Sequence, residues 1–291
     1  MLLEQLQGLP LDIKVKKTEQ RIIEFYEHFH GQVYVAFSGG KDSTVLLHIA
    51  RSIYPDIKAC FVDTGLEYKE IRDFVKSTAN VDIIRPKMQH REVIEKYGYP
   101  VISKEQSQYI YEYRNTKSEK LRSIRINGDA KGGFKISERW KYLLDAPFNI
   151  SDKCCHYMKK NPFWNYEKQK ELHPIIGTMT CESSRRKTDW GMYGCNSFIQ
   201  KRPSSKPLSF WLEEDIWEYI KTNNVNYSEI YNIGYDRTGC AFCLFGCQFD
   251  DFKKFDTMSV THPKLCKYIL EDLGVKEVIR YIRGNTIFNL F

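Results

Sequence analysis

The 291 residues are 42% hydrophobic and 28% charged, which excludes global disorder and supplies enough apolar chain for a core without disulfide staples. No window approaches the roughly 18 consecutive apolar residues of a membrane helix, and the opening MLLEQLQGLPLDIKVKK lacks the order of a secretory signal. A cytoplasmic protein with no membrane partner is expected. Lys plus Arg at 44 against Asp plus Glu at 37 gives a net charge of +7, which favours anionic ligands without selecting one.

In chain order, the spacing of Ile22, Ile23, Phe25, Tyr26 and Phe29 predicts a helix over residues 17–30. QVYVAF then reads as a strand ending at SGGKDS, TVLLHIARSIY as a helix and IKACFVDTG as a second buried strand, which is the order of a parallel βαβ unit. Residues 70–79 give the next helix and VDIIRP the next strand. From Gly98 to Pro147 the pattern weakens into a Lys-, Arg-, Tyr- and Gly-rich stretch, expected as a lid or surface loop. Residues 154–170 predict a short helix stopped or kinked near Pro162, HPIIGTM a strand and PLSFWLEEDIWEYIKTN a helix. A turn-rich loop follows over 227–247, and a last amphipathic helix over about 264–282 ends at Arg283-Gly284.

The expected fold class is therefore α/β, a doubly wound mostly parallel sheet with helices on both faces, plus a cysteine-rich C-terminal region. Three regions are expected: an N-terminal helical extension at 1–30, a nucleotide-binding α/β domain at 31–220 with a basic insertion at about 104–147, and a cysteine-rich loop and helical region at 221–291.

Ser38, Gly39, Gly40, Lys41, Asp42 and Ser43 lie between a strand and a helix, where free backbone N–H groups and the helix dipole collect anionic oxygen. Two glycines permit close backbone approach, Lys41 supplies a point charge and the serines can donate. The run resembles the pyrophosphatase loop of the adenine-nucleotide α-hydrolase (PP-loop ATP pyrophosphatase) superfamily, whose members usually cleave ATP between its α and β phosphates. Asp63, Thr64, Gly65 and Glu67 follow the second strand at its carboxyl end, where open α/β sheets bind ligands. Asp63 and Glu67 suit a ribose or a magnesium water, and equally suit capping of the next helix. With the first loop, this segment resembles the phosphoadenosine-phosphosulfate (PAPS) reductase branch.

Nine cysteines in a chain expected to be cytosolic read as thiols or metal ligands rather than disulfides, and seven of them fall between 154 and 247. Cys154-Cys155 and Cys240-x-x-Cys243 form two pairs, and four thiolates suit tetrahedral Zn²⁺ or a [4Fe-4S] cluster. Adjacent cysteines chelate a single small ion poorly, which favours the cluster. Cys247 is a substitute ligand or a free reactive thiol. A buried cluster or zinc ion that merely pins the loop is the structural alternative. The set also resembles the ligands of iron–sulfur adenylylsulfate reductases. Cys266, four residues after His262, is spaced for a metal but is more simply a packing residue.

The resemblance covers roughly residues 30–250. Gly177, Glu182, Ser183, Arg185 and Arg186 resemble a substrate-binding run after a strand, and Pro207, Trp211, Asp215, Ile216 and Trp217 a helix found downstream. Tyr231, Gly234-Tyr235, Arg237-Thr238-Gly239-Cys240 and Phe242-Cys243 are similar to DndC-like DNA sulfur-modification proteins. Two departures limit the likeness: Met179 stands where many relatives place an Arg, and the ending YIRGNTIFNLF lacks the Glu-Cys-Gly-Leu-His segment whose cysteine attacks sulfur in the reductases.

What the resemblance implies is an adenine nucleotide, ATP or an adenylylated sulfonucleotide, with Mg²⁺ on its phosphates. Lys41 and Arg237 are expected to stabilise developing charge, with Cys247 or Cys181 as the reactive thiol. The first reading is an iron–sulfur enzyme that adenylates a substrate, releases pyrophosphate and transfers sulfur. The second is a phosphoadenylylsulfate or adenylylsulfate reductase releasing sulfite. The third is a non-catalytic nucleotide-binding component of a nucleic-acid modification system. Expected partners are a sulfur or electron donor protein, cysteine desulfurase or thioredoxin, and a DNA or tRNA substrate. Basic runs at 114–141 and 185–206 suit phosphates, and Tyr109, Tyr111 and Tyr113 alternate as in a half-buried strand or a base-stacking face.

Overall fold

The runs VYVA, ACFV and VDII form strands because each is short, rich in apolar and β-branched residues, and bounded by turns. The computed structural model describes residues 2–288. Its strands are β1 (Val33–Ala36), β2 (Ala59–Val62), β3 (Val81–Ile84), β4 (Val101–Ile102), β5 (His173–Ile176), β6 (Asn196–Ser197), β7 (Ser204–Ser205) and β8 (Leu244–Phe245). Two compact units are each assembled from separate stretches. The first takes the chain up to Asp63, Glu67–Arg85 and Phe163–Thr238; the second takes Thr64–Leu66, Pro86–Pro162 and the chain from Gly239.

The first unit holds a six-stranded sheet in the order β3-β2-β1-β5-β7-β6, parallel except for the β6–β7 pair. Ala36 stands opposite Cys60 on one side and Ile176 on the other. Helices flank both faces, so the fold is the mostly parallel α/β architecture expected. On one face Tyr34 and Cys60 pack against Tyr166, with Phe163 beside them. The Tyr34 hydroxyl donates to Glu167 at 2.6 Å, the Arg202 Nε closes on the same carboxylate at 2.6 Å, and the Tyr166 hydroxyl donates to Asp82 at 2.7 Å. These partners satisfy polar groups that burial would otherwise penalise.

The chain leaves β1 toward β2 and β3 and returns on β1's other side as β5. That reversal of direction makes the carboxyl ends of β1 and β5 the topological switch point of the sheet, the usual ligand position in such folds. The helix Lys41–Ile53 starts there, with the helices Leu11–His28 and Glu213–Thr222 packed on it. The buried Lys14 ammonium binds the Asp215 carboxylate at 2.6 Å, the Leu212 N–H donates to the same carboxylate at 2.7 Å, and Trp211 Nε1 donates to the Thr18 hydroxyl at 2.9 Å. Together they fix where the Glu213 helix begins.

In the second unit β4 pairs in parallel with β8. Ile102 is left-handed at φ 63°, a costly conformation for a β-branched residue, and its carbonyl accepts from the Gly246 N–H at 2.9 Å. Contrary to the expected lid or loop, the stretch 98–147 is largely helical: Lys104–Asn115, Glu119–Asn127 and a 3₁₀ segment Glu138–Asp145. Ser103 and Ser118 cap the first two through their hydroxyls. Tyr109, Tyr111 and Tyr113 therefore lie on a helix and share no strand face, and Tyr109 is buried. Part of the basic run is structural as well. Arg114 donates to the carbonyls of Leu143, Leu144, Ala146 and Phe148, and Arg125 pairs with Glu112.

Other boundaries differ too. The second helix starts at Leu11 rather than at residue 17, and the Trp217 helix spans only Glu213–Thr222, the residues after Pro207 forming turns first. Residues 153–170 continue through a π-helical segment His156–Lys160 just before Pro162, whose missing N–H accounts for the irregularity. The last helical stretch breaks near Gly274, at φ 70°, and continues as Val275–Phe288, past Arg283-Gly284. Among the described residues no helix is long and apolar enough to cross a membrane.

Candidate functional site: a phosphate loop and a thiol group

The loop Ser38–Ser43 turns sharply at Gly39, at φ 73°, where a Cβ would stand 2.9 Å from a Val75 methyl. Its serines knit it internally. The Ser43 hydroxyl accepts from the Ser38 N–H at 3.1 Å and donates to the Gly40 carbonyl at 2.9 Å; the Ser38 hydroxyl accepts from the Gly40 N–H at 3.3 Å. A Cβ on Gly177, just past β5, would lie 3.1 Å from the Asp42 carbonyl oxygen, so a side chain here would press the helix start outward by a few tenths of an ångström. The two sequence-predicted segments thus meet at the switch point.

Lys41 is almost fully buried, and its ammonium reaches the Asp236 carbonyl at 3.1 Å and the Glu213 carboxylate at 3.1 Å. Its backbone N–H donates to the Tyr231 hydroxyl at 2.7 Å, and that hydroxyl lies 3.2 Å from the Thr238 hydroxyl. Burial raises the Asp42 carboxyl above its usual range; Lys41, Arg186 and Arg237 pull it down and Glu213 pushes it up. Its Oδ1 is buried with no hydrogen-bond partner. Three cations therefore share the field of this loop.

Arg186 pairs with Glu182, and its guanidinium also reaches the carbonyl of Met179, the residue standing where relatives place an Arg. Ser183 caps the Arg186 N–H at 3.3 Å, and Arg185 is exposed. Cys181 lies in the same field. Its thiol is raised chiefly by burial and then by Asp42 and Glu213, while Arg186 lowers it, and it points to the Trp211 carbonyl at 3.7 Å. The segment after β2 divides: Asp63, 3.5 Å from Arg85, and buried Glu67 belong to the first unit, and Thr64 and Gly65 to the second.

The second unit brings together Cys154, Cys155, Cys240 and Cys243. Burial raises the thiols of Cys154, Cys155 and Cys243, and the charges of the other sulfurs raise them further, so Cys243 is pushed up to about 12. The Cys243 N–H donates to the Cys240 carbonyl at 3.0 Å in a tight turn, and Lys254 donates to the Cys243 carbonyl. All nine cysteines are free thiols. Among the described residues no three His, Cys, Asp or Glu side chains gather closely enough to hold one metal ion. Cys247 is buried with its thiol toward the Cys243 carbonyl at 3.5 Å, and Cys266 is buried with its thiol toward the Phe255 carbonyl at 3.5 Å.

Glu213 was not singled out by the sequence, although it opens an acid-rich helix turn; Tyr231 and Thr238 entered only as marks of resemblance. The contacts of Glu213 and Tyr231 to Lys41 span more than 170 residues and leave no local signal.

A family model described as the phosphoadenosine phosphosulfate reductase domain matches residues 32–244. An uncharacterised protein of Methanocaldococcus jannaschii is 29% identical over 235 residues, covering 78% of this chain and 46% of that protein. The adenosine 5′-phosphosulfate reductase of Oceanobacillus iheyensis is 25% identical over 230 residues, covering 75% of this chain and 73% of that enzyme. The phosphoadenylyl-sulfate reductase of Candida auris, solved as a phosphate complex, superposes with a TM-score of 0.44 at 16% identity, over 76% of this chain and 87% of that one. The chain spans less than half the length of the two Methanocaldococcus jannaschii proteins it matches, 46% of one and 37% of the other.

Proposed function

The chain belongs to the phosphoadenosine phosphosulfate reductase domain family, and from that premise we propose that it is a sulfonucleotide enzyme whose Ser38–Ser43 loop seats the phosphosulfate of an adenine nucleotide. The observation that carries this reading is the loop itself: a helix start at the β1/β5 switch point, crowded by Gly177, with Lys41 and Arg186 in one field. Backbone N–H groups and preorganised cations stabilise the oxygen that gains charge as the sulfur–oxygen bond breaks.

The chemistry is a two-electron reduction. A thiolate attacks the sulfur, the nucleoside monophosphate leaves with the bond pair, and an S-sulfonate remains on the thiol. A second thiolate then attacks that cysteine sulfur, releases sulfite and leaves a disulfide, which an external dithiol protein such as thioredoxin reduces. Of the two reactive thiols expected, Cys181 is exposed and lies in the loop's field, whereas Cys247 is buried.

Cys154, Cys155, Cys240 and Cys243 are the residues that would hold a [4Fe-4S] cluster: all four lie in one unit, and Cys154 and Cys243 each feel the charge of neighbouring sulfurs. Bound there, it would tie Cys154-Cys155 to Cys240 and Cys243 and so order the loop that carries them.

A second reading, adenylation by ATP with release of pyrophosphate, is favoured by the orphaned Asp42 Oδ1, an oxygen suited to a Mg²⁺–nucleotide. Assays of the anaerobically purified chain separate the two. Sulfite from adenosine 5′-phosphosulfate or its 3′-phosphate, with thioredoxin present, supports reduction; AMP and pyrophosphate from Mg-ATP with no sulfite supports adenylation. Absence of binding to any of these nucleotides sinks both.

A further inference from the structure

The atoms that make the Ser38–Ser43 loop an anion site are already engaged by the chain's own oxygens. The Lys41 N–H, in the first turn of a 13-residue helix, donates to the Tyr231 hydroxyl at 2.7 Å. The Lys41 ammonium is held by the Asp236 carbonyl and the Glu213 carboxylate. A Cβ on Gly40 would lie 2.7 Å from the Thr238 hydroxyl and 3.2 Å from that of Tyr231, so the segment 229–238 lies directly on the turn where the nucleotide oxygens approach. The Tyr231 and Trp217 rings stand 5.6 and 5.9 Å from the Lys41 ammonium and complete its enclosure.

We propose that residues 229–238 form a displaceable gate in which the Tyr231 hydroxyl occupies the position of a nucleotide oxyanion on the Lys41 N–H. This rests on the phosphate-loop reading and adds its regulation: the incoming phosphate or phosphosulfate oxygen replaces a neutral hydroxyl on the same donor, and the segment swings away. The exchange is favourable because an anion accepts more strongly than a phenol from an N–H at a helix start. Tyr231 remains a neutral hydroxyl at physiological pH, since burial raises its pKa, so it competes as a dipole rather than as a charge. The apparent affinity is lowered by the share of chains in the closed state.

The sign of one conservative substitution decides the matter. Tyr231→Phe keeps the ring and removes only the competing oxygen, so the closed state loses a hydrogen bond that the bound state does not make. Calorimetric titration of the full chain with adenosine 5′-phosphosulfate, and separately with ATP, is expected to show about five-fold tighter binding for Tyr231→Phe than for the wild type, the equivalent of one neutral hydrogen bond. Tyr227→Phe, whose hydroxyl meets Asn232 at 3.0 Å in the same segment, is expected to leave the affinity unchanged. Hydrogen exchange across 229–238 is expected to rise when nucleotide binds the wild type.

Unchanged or weaker binding by Tyr231→Phe, or protection of 229–238 on nucleotide addition, overturns the gate and makes Tyr231 a bystander or a ligand contact. Failure of both the wild type and Tyr231→Phe to bind either nucleotide defeats the phosphate-loop reading and the gate with it. Binding by the wild type without tightening in the variant defeats the gate alone.

Discussion

In the loop Ser38–Ser43, Ser38, Gly40, Lys41 and Ser43 find hydrogen-bond partners within the chain, whereas in the thiol group Cys154, Cys155 and Cys243 feel a neighbouring sulfur that opposes their ionisation. The loop is preorganised by backbone geometry and pays its strain in glycine, at Gly39 and Gly177. The thiol group is held chiefly in its neutral form by burial, which raises Cys154, Cys155 and Cys243. The proposed anion site is thus made largely by the backbone, whereas the proposed cluster site depends on its side chains alone.

The comparison breaks most visibly if the two sites respond together. Replacing both Cys240 and Cys243 by Ser is expected to abolish iron and acid-labile sulfide while leaving nucleotide affinity unchanged, read by metal analysis and calorimetry on the same preparations. Next in size is the support of the Glu213 helix. Lys14→Met strands Asp215 as a buried, unpaired carboxylate, and chemical denaturation is expected to show a loss of about 3–5 kcal/mol, much of it restored when Asp215 is also made Leu.

The thiol unit carries a pH dependence. Burial lowers His90 to about 4, and its Nε2 has no hydrogen-bond partner. The unfolded chain therefore binds a proton near pH 6.5 that the folded chain refuses until about 4. Stability is full above 6.5 and declines as the pH falls toward 4, by about 3 kcal/mol in all. Denaturation midpoints across that range are expected to flatten in His90→Gln; an unaltered slope contradicts the assignment. The smallest effect belongs to the loop. Gly177→Ala pushes a methyl against the Asp42 carbonyl at about 3.1 Å and is expected to weaken nucleotide binding about tenfold with little change in stability.

How much of this was legible in the sequence follows from the range of the forces involved. β1, the loop and the Lys41–Ile53 helix could be read because strand pattern, glycine turn and helix start are contiguous. Tyr109, Tyr111 and Tyr113 misled because alternation over five residues is compatible with a helix whose buried face also includes Ser107 and Ile110. The stretch 98–147 looked irregular because its helices are short and charge-dense, and Arg114 is spent on four carbonyls of a distant segment rather than on a ligand. The cysteine pairs were visible by type, but that Cys181 is exposed and Cys247 buried depends on folding alone. The enclosure of Lys41 by Glu213, Tyr231 and Asp236 left no trace in local spacing for the same reason.

The most direct test of the central claim is equilibrium binding of adenosine 5′-phosphosulfate to the wild-type chain and to Lys41→Ala, measured by calorimetry at fixed salt. Saturable one-to-one binding by the wild type and a loss of about a hundredfold or more in the variant are expected. Equal affinity in the two proteins, or no binding to the wild type, contradicts the claim.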